Sequence, residues 1–277
     1  MNRLALLIAA IALPAAPAQA EPLELVNNRP FVSATVNGQR ITALLDSAAE
    51  MTLIDDDAAV RLGLVPTGAA TAHGSGAQAM EARFAEHVAV EAIGTSVELR
   101  TGILDLGEVS ARLLGRPVEM LLGRDLFDNA RLRIDFAGGT IERFEGEPRG
   151  VRLPVTDHRG TPAIPAAIEG HEPVQTVLDT GNGSEVLVGR AYAERIGLLA
   201  PGRIIARSEG GGLGGSRARD IVLLSQLTVA GRTFTNVRAA IDPGATASDL
   251  NIGTSILRHF ILTTDFAGHQ VWLEPRS

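Results

Sequence analysis

Two aspartates stand at the ends of short apolar runs, each followed by a hydroxyl residue and a small one. They are Asp46, in Leu44-Leu45-Asp46-Ser47-Ala48, and Asp179, in Val177-Leu178-Asp179-Thr180-Gly181. A single aspartate at a strand end is commonly no more than a turn or cap residue. Two of them, in matching surroundings, point to joint chemistry. Carboxylates in contact cannot both ionise cheaply, so they share one proton and titrate as a pair. Such a pair can act as base on a water held between them and as acid toward the carbonyl oxygen that the water attacks. This chemistry calls for no metal, no cofactor and no covalent intermediate. The chain has no cysteine, which removes thiolate nucleophiles, zinc–thiolate sites and disulfides from consideration.

The elements that position these aspartates occur twice. Ile134-Asp135-Phe136-Ala137-Gly138 returns as Thr264-Asp265-Phe266-Ala267-Gly268, about 130 residues later. Arg61-Leu62-Gly63-Leu64 returns as Arg195-Ile196-Gly197-Leu198, and Leu121-Leu122-Gly123-Arg124 as Asn251-Ile252-Gly253-Thr254. The matches keep their order, so the chain reads as a duplicated domain. Residues 21–147 form one lobe and residues 148–277 the other, divided at the polar Glu145-Gly146-Glu147-Pro148-Arg149-Gly150. Duplicated lobes pack about a pseudo-twofold axis, which brings equivalent residues face to face.

Each half carries the same coarse pattern. Phe31 to Val36 and Ala163 to Ile168 alternate in polarity and end in Asn37-Gly38 and Glu169-Gly170, which are hairpin signals. An apolar strand then runs into the aspartate. A short helix follows, Asp55 to Leu62 in one half and Arg190 to Ile196 in the other, with Gly63 and Gly197 placed to end it. Later strands cover Val88 to Glu91, Leu132 to Asp135, Ile221 to Val229 and Ile261 to Asp265. The expected fold is all-β, with one short helix per lobe.

Asp179-Thr180-Gly181 resembles the Asp-Thr-Gly signature of the aspartic proteases, and each half resembles a retropepsin-like subunit. The resemblance implies two homologous retropepsin/pepsin-like lobes in a pseudo-twofold bilobal acid-protease fold, with a cleft between them. It implies peptide-bond hydrolysis by Asp46 and Asp179, with Ser47 and Thr180 joining the two loops through hydroxyl-to-backbone hydrogen bonds. Leu122-Gly123 and Ile252-Gly253 resemble the apolar segment that threads beneath each catalytic loop. Flaps over the cleft map to the glycine-rich stretches His73 to Met80, with Gly74 and Gly76, and Glu209 to Arg217, with Gly212 and Gly214. Two departures stand out: Ala48 occupies the position of the signature glycine, and Asn251 replaces an apolar residue. A methyl group at position 48 is a potential source of strain. Asn182 follows the second motif and can hydrogen-bond the carboxylate, whereas Ala49 cannot, and a mildly acidic to near-neutral optimum is expected. A peptide-binding relative without catalysis is the alternative reading.

Residues 1–20 read as a cleaved signal peptide. Arg3 precedes an apolar run of about ten residues, short of the ~20 needed to span a bilayer, and Ala18-Gln19-Ala20 has cleavage-site character. An exported, periplasmic or secreted monomer acting on polypeptides is therefore expected, with no membrane span after cleavage. The net charge is −7 and every basic residue is arginine. An acidic surface argues against nucleic acid as a partner. Asp55-Asp56-Asp57 lacks the spacing of a calcium loop and suits the first turn of a helix. The histidines show no metal-binding spacing, and Gly210 to Gly215 lacks the Lys-Ser/Thr of a phosphate loop.

Overall fold

The computed structural model describes residues 19–276, so the expected signal peptide lies outside the described residues apart from its last two positions. The rest is mainly β, in three sheets. Strands between Glu24 and Met120–Leu122 build an eight-stranded sheet, and strands between Thr156 and Leu250–Ile252 build a second one. Strand order is the same in both. The hairpin Arg29–Val36/Gln39–Leu45 leads to Met120–Leu122, then Leu53–Asp55, Thr95–Leu104, Ala79–Ala92 and Gly68–His73. In the second lobe the corresponding path runs from Thr161–Ile168/Val174–Leu178 through Leu250–Ile252, Val186–Gly189, Arg232–Asp242, Arg217–Val229 and Ile204–Gly210. Each sheet also curls back on itself: Ala34 pairs with Ala92, and Ala166 with Val229.

Local chemistry explains the hairpins. Asn37 and Gly38 both take positive φ (48° and 80°), as do Glu169 and Gly170 (54° and 76°). Positive φ at both central residues gives the two-residue turn whose twist matches the strands it joins. Along Arg29–Val36 the side chains of Val32, Ala34 and Val36 go into the core while Ser33 is exposed, the period of two that a half-covered strand requires.

The third sheet is shared between the lobes. Its order is Glu21–Pro22, Thr140–Arg143, Leu132–Asp135, Phe260–Asp265, Gln270–Pro275 and Val151–Pro154. At its centre Leu132–Asp135 runs antiparallel to Phe260–Asp265, with Arg133 opposite Thr263, Leu132 opposite Thr264 and Ile134 opposite Leu262. These are the repeated segments of the sequence, paired about their own midpoint. The pseudo-twofold axis therefore passes between Arg133 and Thr263. Phe127 of the first lobe stacks on Phe266 of the second, ring centroids 5.3 Å apart.

The two expected helices are present as Asp56–Arg61 and Arg190–Arg195. Asp55 caps the first, accepting a hydrogen bond from the Asp57 amide at 3.1 Å, so the three adjacent acids serve the helix terminus. Three further helices extend the expectation of one per lobe: Gly107–Leu113, Arg124–Asn129 and Thr254–Leu257. With four to seven residues each, they are too short to show a helical apolar period.

Candidate active site

Each aspartate leaves a strand of its own lobe. Gln39–Leu45 delivers Asp46, and Val174–Leu178 delivers Asp179. Each strand runs parallel to the inner apolar strand, Met120–Leu122 or Leu250–Ile252. The pairing continues one residue further, the Asp46 amide donating to Leu122 O at 2.9 Å and the Asp179 amide to Ile252 O at 3.0 Å. Gly123 and Gly253 then pass so close to the backbone of Met51 and of Asn182 that neither has room for a side chain. The threading segments thus lie beside the aspartates.

Ser47 and Thr180, both fully buried, tie the two loops together by a closed set of hydrogen bonds. Ser47 Oγ donates to Leu178 O (2.7 Å) and accepts from the Thr180 amide (3.1 Å). Thr180 Oγ1 donates to Leu45 O (2.9 Å) and accepts from the Ser47 amide (2.9 Å). Removing one hydroxyl leaves a buried amide and a buried carbonyl without partners, at roughly 1–3 kcal/mol for each such group. Thr180→Ala is expected to lower the unfolding free energy by about 2–4 kcal/mol in denaturant titrations, and Thr180→Ser to recover most of it. Equal stability of Thr180→Ala and the parent protein would mean that the lock contributes nothing.

Across this lock the Asp46 carboxylate lies against Gly181, two residues beyond Asp179, close enough for the charge of Asp179 to act on it. The surroundings of the two carboxylates differ. Asp46 Oδ1 accepts from the Ala48 amide at 2.9 Å, and Asp179 Oδ1 from the Asn182 amide at 2.9 Å. Asp179 Oδ2 receives a further bond, from Asn251 Nδ2 at 2.7 Å. The amide of Asn251 is held in that orientation by Asn182 Nδ2, which donates to Asn251 Oδ1 at 2.9 Å. Asn182 thus reaches the carboxylate through its backbone, and its side chain acts through Asn251. In the first lobe the equivalent of Asn251 is Leu121, which offers no donor.

Burial raises both carboxyl groups above the ordinary carboxylate range. For Asp46 the desolvation is joined by the negative charge of Asp179, and together they carry it up to about 7. For Asp179 the desolvation is opposed first by the Asn251 hydrogen bond, then by the Asn182 amide and the charge of Arg29.

The position that departs from the signature is free of backbone strain. Ala48 lies outside the left-handed region, so its methyl group meets no conformational penalty. Gly181 has no such freedom, because a β-carbon there would overlap the carboxylate of Asp46.

Both glycine-rich stretches are hairpin tips, and they touch. Gly68–His73/Ala79–Ala92 forms one flap and Ile204–Gly210/Arg217–Val229 the other. The Gly76 amide donates to Leu213 O and the Gln78 amide to Gly214 O, each at 2.8 Å. Gly74 and Gly76 pack directly on Leu213 and Gly214, while Gly212 lies against Ser75. Arg112, on the helix Gly107–Leu113, holds the second tip by donating to Gly211 O (3.0 Å) and Gly212 O (2.8 Å). Neither Arg112 nor the buried Arg29, whose charge acts on both aspartates, stands out in the sequence. Nothing local marks either residue.

Two homologous β lobes, a shared six-stranded sheet and two hydroxyl-locked aspartate loops define a bilobal, retropepsin-like acid-protease architecture. A family model described as aspartyl protease matches residues 32–126 and again residues 164–256. The chain belongs to that family, and to its two-lobed form, since both matches lie in one polypeptide. No curated protein matches the chain.

Proposed function

We propose that the protein is an aspartic endopeptidase that cleaves polypeptides with a water activated by Asp46 and Asp179, one from each lobe. The observation that supports the reading is the closed Ser47–Thr180 lock joining the two aspartate loops, with the Asp46 carboxylate packed against Gly181 of the other loop. Asp179, whose charged form the Asn251 hydrogen bond favours, takes a proton from the water as its oxygen attacks the peptide carbonyl carbon. Asp46, protonated below about 7, gives its proton to the carbonyl oxygen, and a gem-diol forms. Asp179 then passes its acquired proton to the amide nitrogen while the C–N bond breaks. Asp46 recovers a proton from the diol as the carbonyl re-forms, and the pair returns to its starting state. Export belongs to the same proposal and rests on the leader pattern of residues 1–20, and a monomer rests on the internal duplication.

The test is cleavage of an unfolded polypeptide by the purified protein, with and without a peptide inhibitor whose secondary hydroxyl imitates the gem-diol. Cleavage at mildly acidic pH, blocked by the inhibitor, is expected. Inactivity at every value from about pH 3 to about pH 8 would sink the reading.

The assignment of base and acid has its own consequence. Asn251→Leu removes the strongest influence favouring the charged form of Asp179, so its pKa rises further. The acid limb of the kcat/KM profile then moves to higher pH and the bell narrows, while the alkaline limb, set by Asp46, moves less. An unchanged acid limb would show that Asp179 is not the base.

A further inference from the structure

The chain as a whole is acidic, yet arginines gather where the second flap meets the first. Arg217 and Arg219 are two apart on the strand Arg217–Val229 and share a face with the buried Ile221. Arg219 is only 7% exposed, its Nε has no hydrogen-bond partner among the described residues, and Asp242 stands 3.9 Å from it. Arg217 donates to Gly76 O on the opposite flap at 2.6 Å, and its Nε is also buried without a partner. Arg29, again 7% exposed, donates to Asn27 O (3.1 Å) and Ser184 Oγ (3.2 Å) but makes no ion pair among the described residues. Arg112 lies close enough for its charge to repel those of Arg29 and Arg219.

Buried guanidinium groups are ordinarily matched by carboxylates, with their donors filled. Apart from Asp179 and Asp46, whose charges act on Arg29, the acids nearby do not fill these. Glu108 is engaged with Arg112 at 2.7 Å, Glu185 lies 3.6 Å from Arg238, and Asp242 Oδ1 accepts from the Gly244 amide at 2.9 Å. The cluster is also one-sided. Phe84 pairs with Gly102 and Ile221 with Ala240, the matching rungs of the two lobes. Counted outward from those rungs, Met80 and Ala82 occupy in the first flap the places of Arg217 and Arg219. Met80 packs on an apolar cluster that includes Phe31, Leu106 and Leu121. The helix that carries Arg112 has no counterpart in the second lobe, where residues 243–249 join two strands directly.

We propose that these arginines form a specificity subsite that receives the side-chain carboxylate of an aspartate or glutamate in the peptide, on the side of the scissile bond beneath the second flap. The planar fork of donors matches a carboxylate bidentately, and closure of the flaps removes the water that would compete with it. Peptides of the opposite charge meet repulsion in the same place. This subsite rests on the protease reading above, and the experiment separates the two.

Paired peptides that differ only by Glu against Gln, or Asp against Asn, are scanned through the positions flanking the cleaved bond. At one or two positions, all on one side of the bond, the acid is expected to raise kcat/KM by at least about tenfold at low salt, and the preference to shrink as salt rises. In Arg219→Gln, and separately in the half-buried Arg217→Gln, the acid-to-amide ratio falls toward one. If Arg219→Gln does not fold, Arg217→Gln and the salt dependence of the parent protein still decide. Binding of the same peptides to the Asp179→Asn protein, read by fluorescence anisotropy, supplies the separation. Cleavage with no acid preference at any position overturns the subsite and keeps the hydrolysis. Acid-selective binding with no cleavage by the parent protein keeps the subsite and overturns the hydrolysis.

Discussion

Asp46→Asn abolishes peptide cleavage and, at neutral pH, makes the protein more resistant to heat. The loss follows from the need for a proton donor and a proton acceptor on one water: an asparagine can neither give up a proton to the carbonyl oxygen nor recover one. Loss of a general acid costs about 10²–10⁴ in rate, and both halves of the proposed cycle pass through this residue. The stability gain follows from the environment that makes the pair useful. In the unfolded chain an aspartate titrates near ~3.9, whereas Asp46 in the fold titrates at about 7. Between those values the folded protein binds more protons than the unfolded one, so the favourable contribution, complete below ~4, is lost as pH rises through about 7. Asparagine has no charge to force into the site. The variant should therefore gain little at pH 4 and several degrees in Tm near pH 7.5, at roughly 2–4 °C per kcal/mol for a chain of this size. Calorimetric scans at the two pH values provide the check. A variant less stable than the parent at pH 7.5 would mean that the carboxyl groups are not held together against their electrostatics. Sites that store such strain are where stability and activity trade against each other.

The parts legible in the sequence are those encoded locally or stated twice. Asn37-Gly38 and Glu169-Gly170 announce their hairpins because the turn type demands positive φ at both residues. Asp46 and Asp179 are recognisable because duplication repeats an apolar strand, an acid and a hydroxyl in the same order. The flaps show as glycine-rich stretches in equivalent places. What stayed hidden depends on which side chain meets which across the fold. Asn251 reads in the sequence as a blemish in an apolar segment, and only the pairing of Leu250–Ile252 with Val174–Leu178 turns its amide onto Asp179. Ala48 reads as a defect, yet the backbone there never needed a glycine. Arg29, Arg112 and Arg219 come from three separate segments and come near one another only once the chain is folded. The six-stranded sheet joins Glu21–Pro22 to Thr140–Arg143, a pairing between segments that share no local pattern.

Gly181→Ala should nearly abolish the proposed peptide cleavage, whereas Ala48→Gly should leave it intact. The two positions are equivalent in the repeat, and symmetry alone predicts equal tolerance. The structure breaks the symmetry at the carboxyl pair. A β-carbon on residue 181 would occupy the volume of the Asp46 carboxylate, and neither group can retreat cheaply. The Thr180 side of the loop is fixed by the hydrogen bonds to Ser47 and Leu45, and Asp46 Oδ1 is fixed by the Ala48 amide. Relief must come from displacing Asp46 away from Asp179, which breaks the sharing of the proton. A displacement of about 1 Å in a reacting group slows the chemistry by a factor on the order of 10², so turnover by Gly181→Ala should drop at least about a hundredfold. The accompanying loss of stability should be about 1–3 kcal/mol, the range for overpacking a filled site. Since φ at residue 48 is not positive, Ala48→Gly removes a methyl group without releasing strain, and its main effect is added freedom of the unfolded chain, about 0.4–1 kcal/mol of destabilisation. Steady-state kinetics with denaturant unfolding on both variants decide the matter. Comparable activity in the two would show that the aspartate loops respond as a symmetric pair and that Gly181 does not hold Asp46 in place.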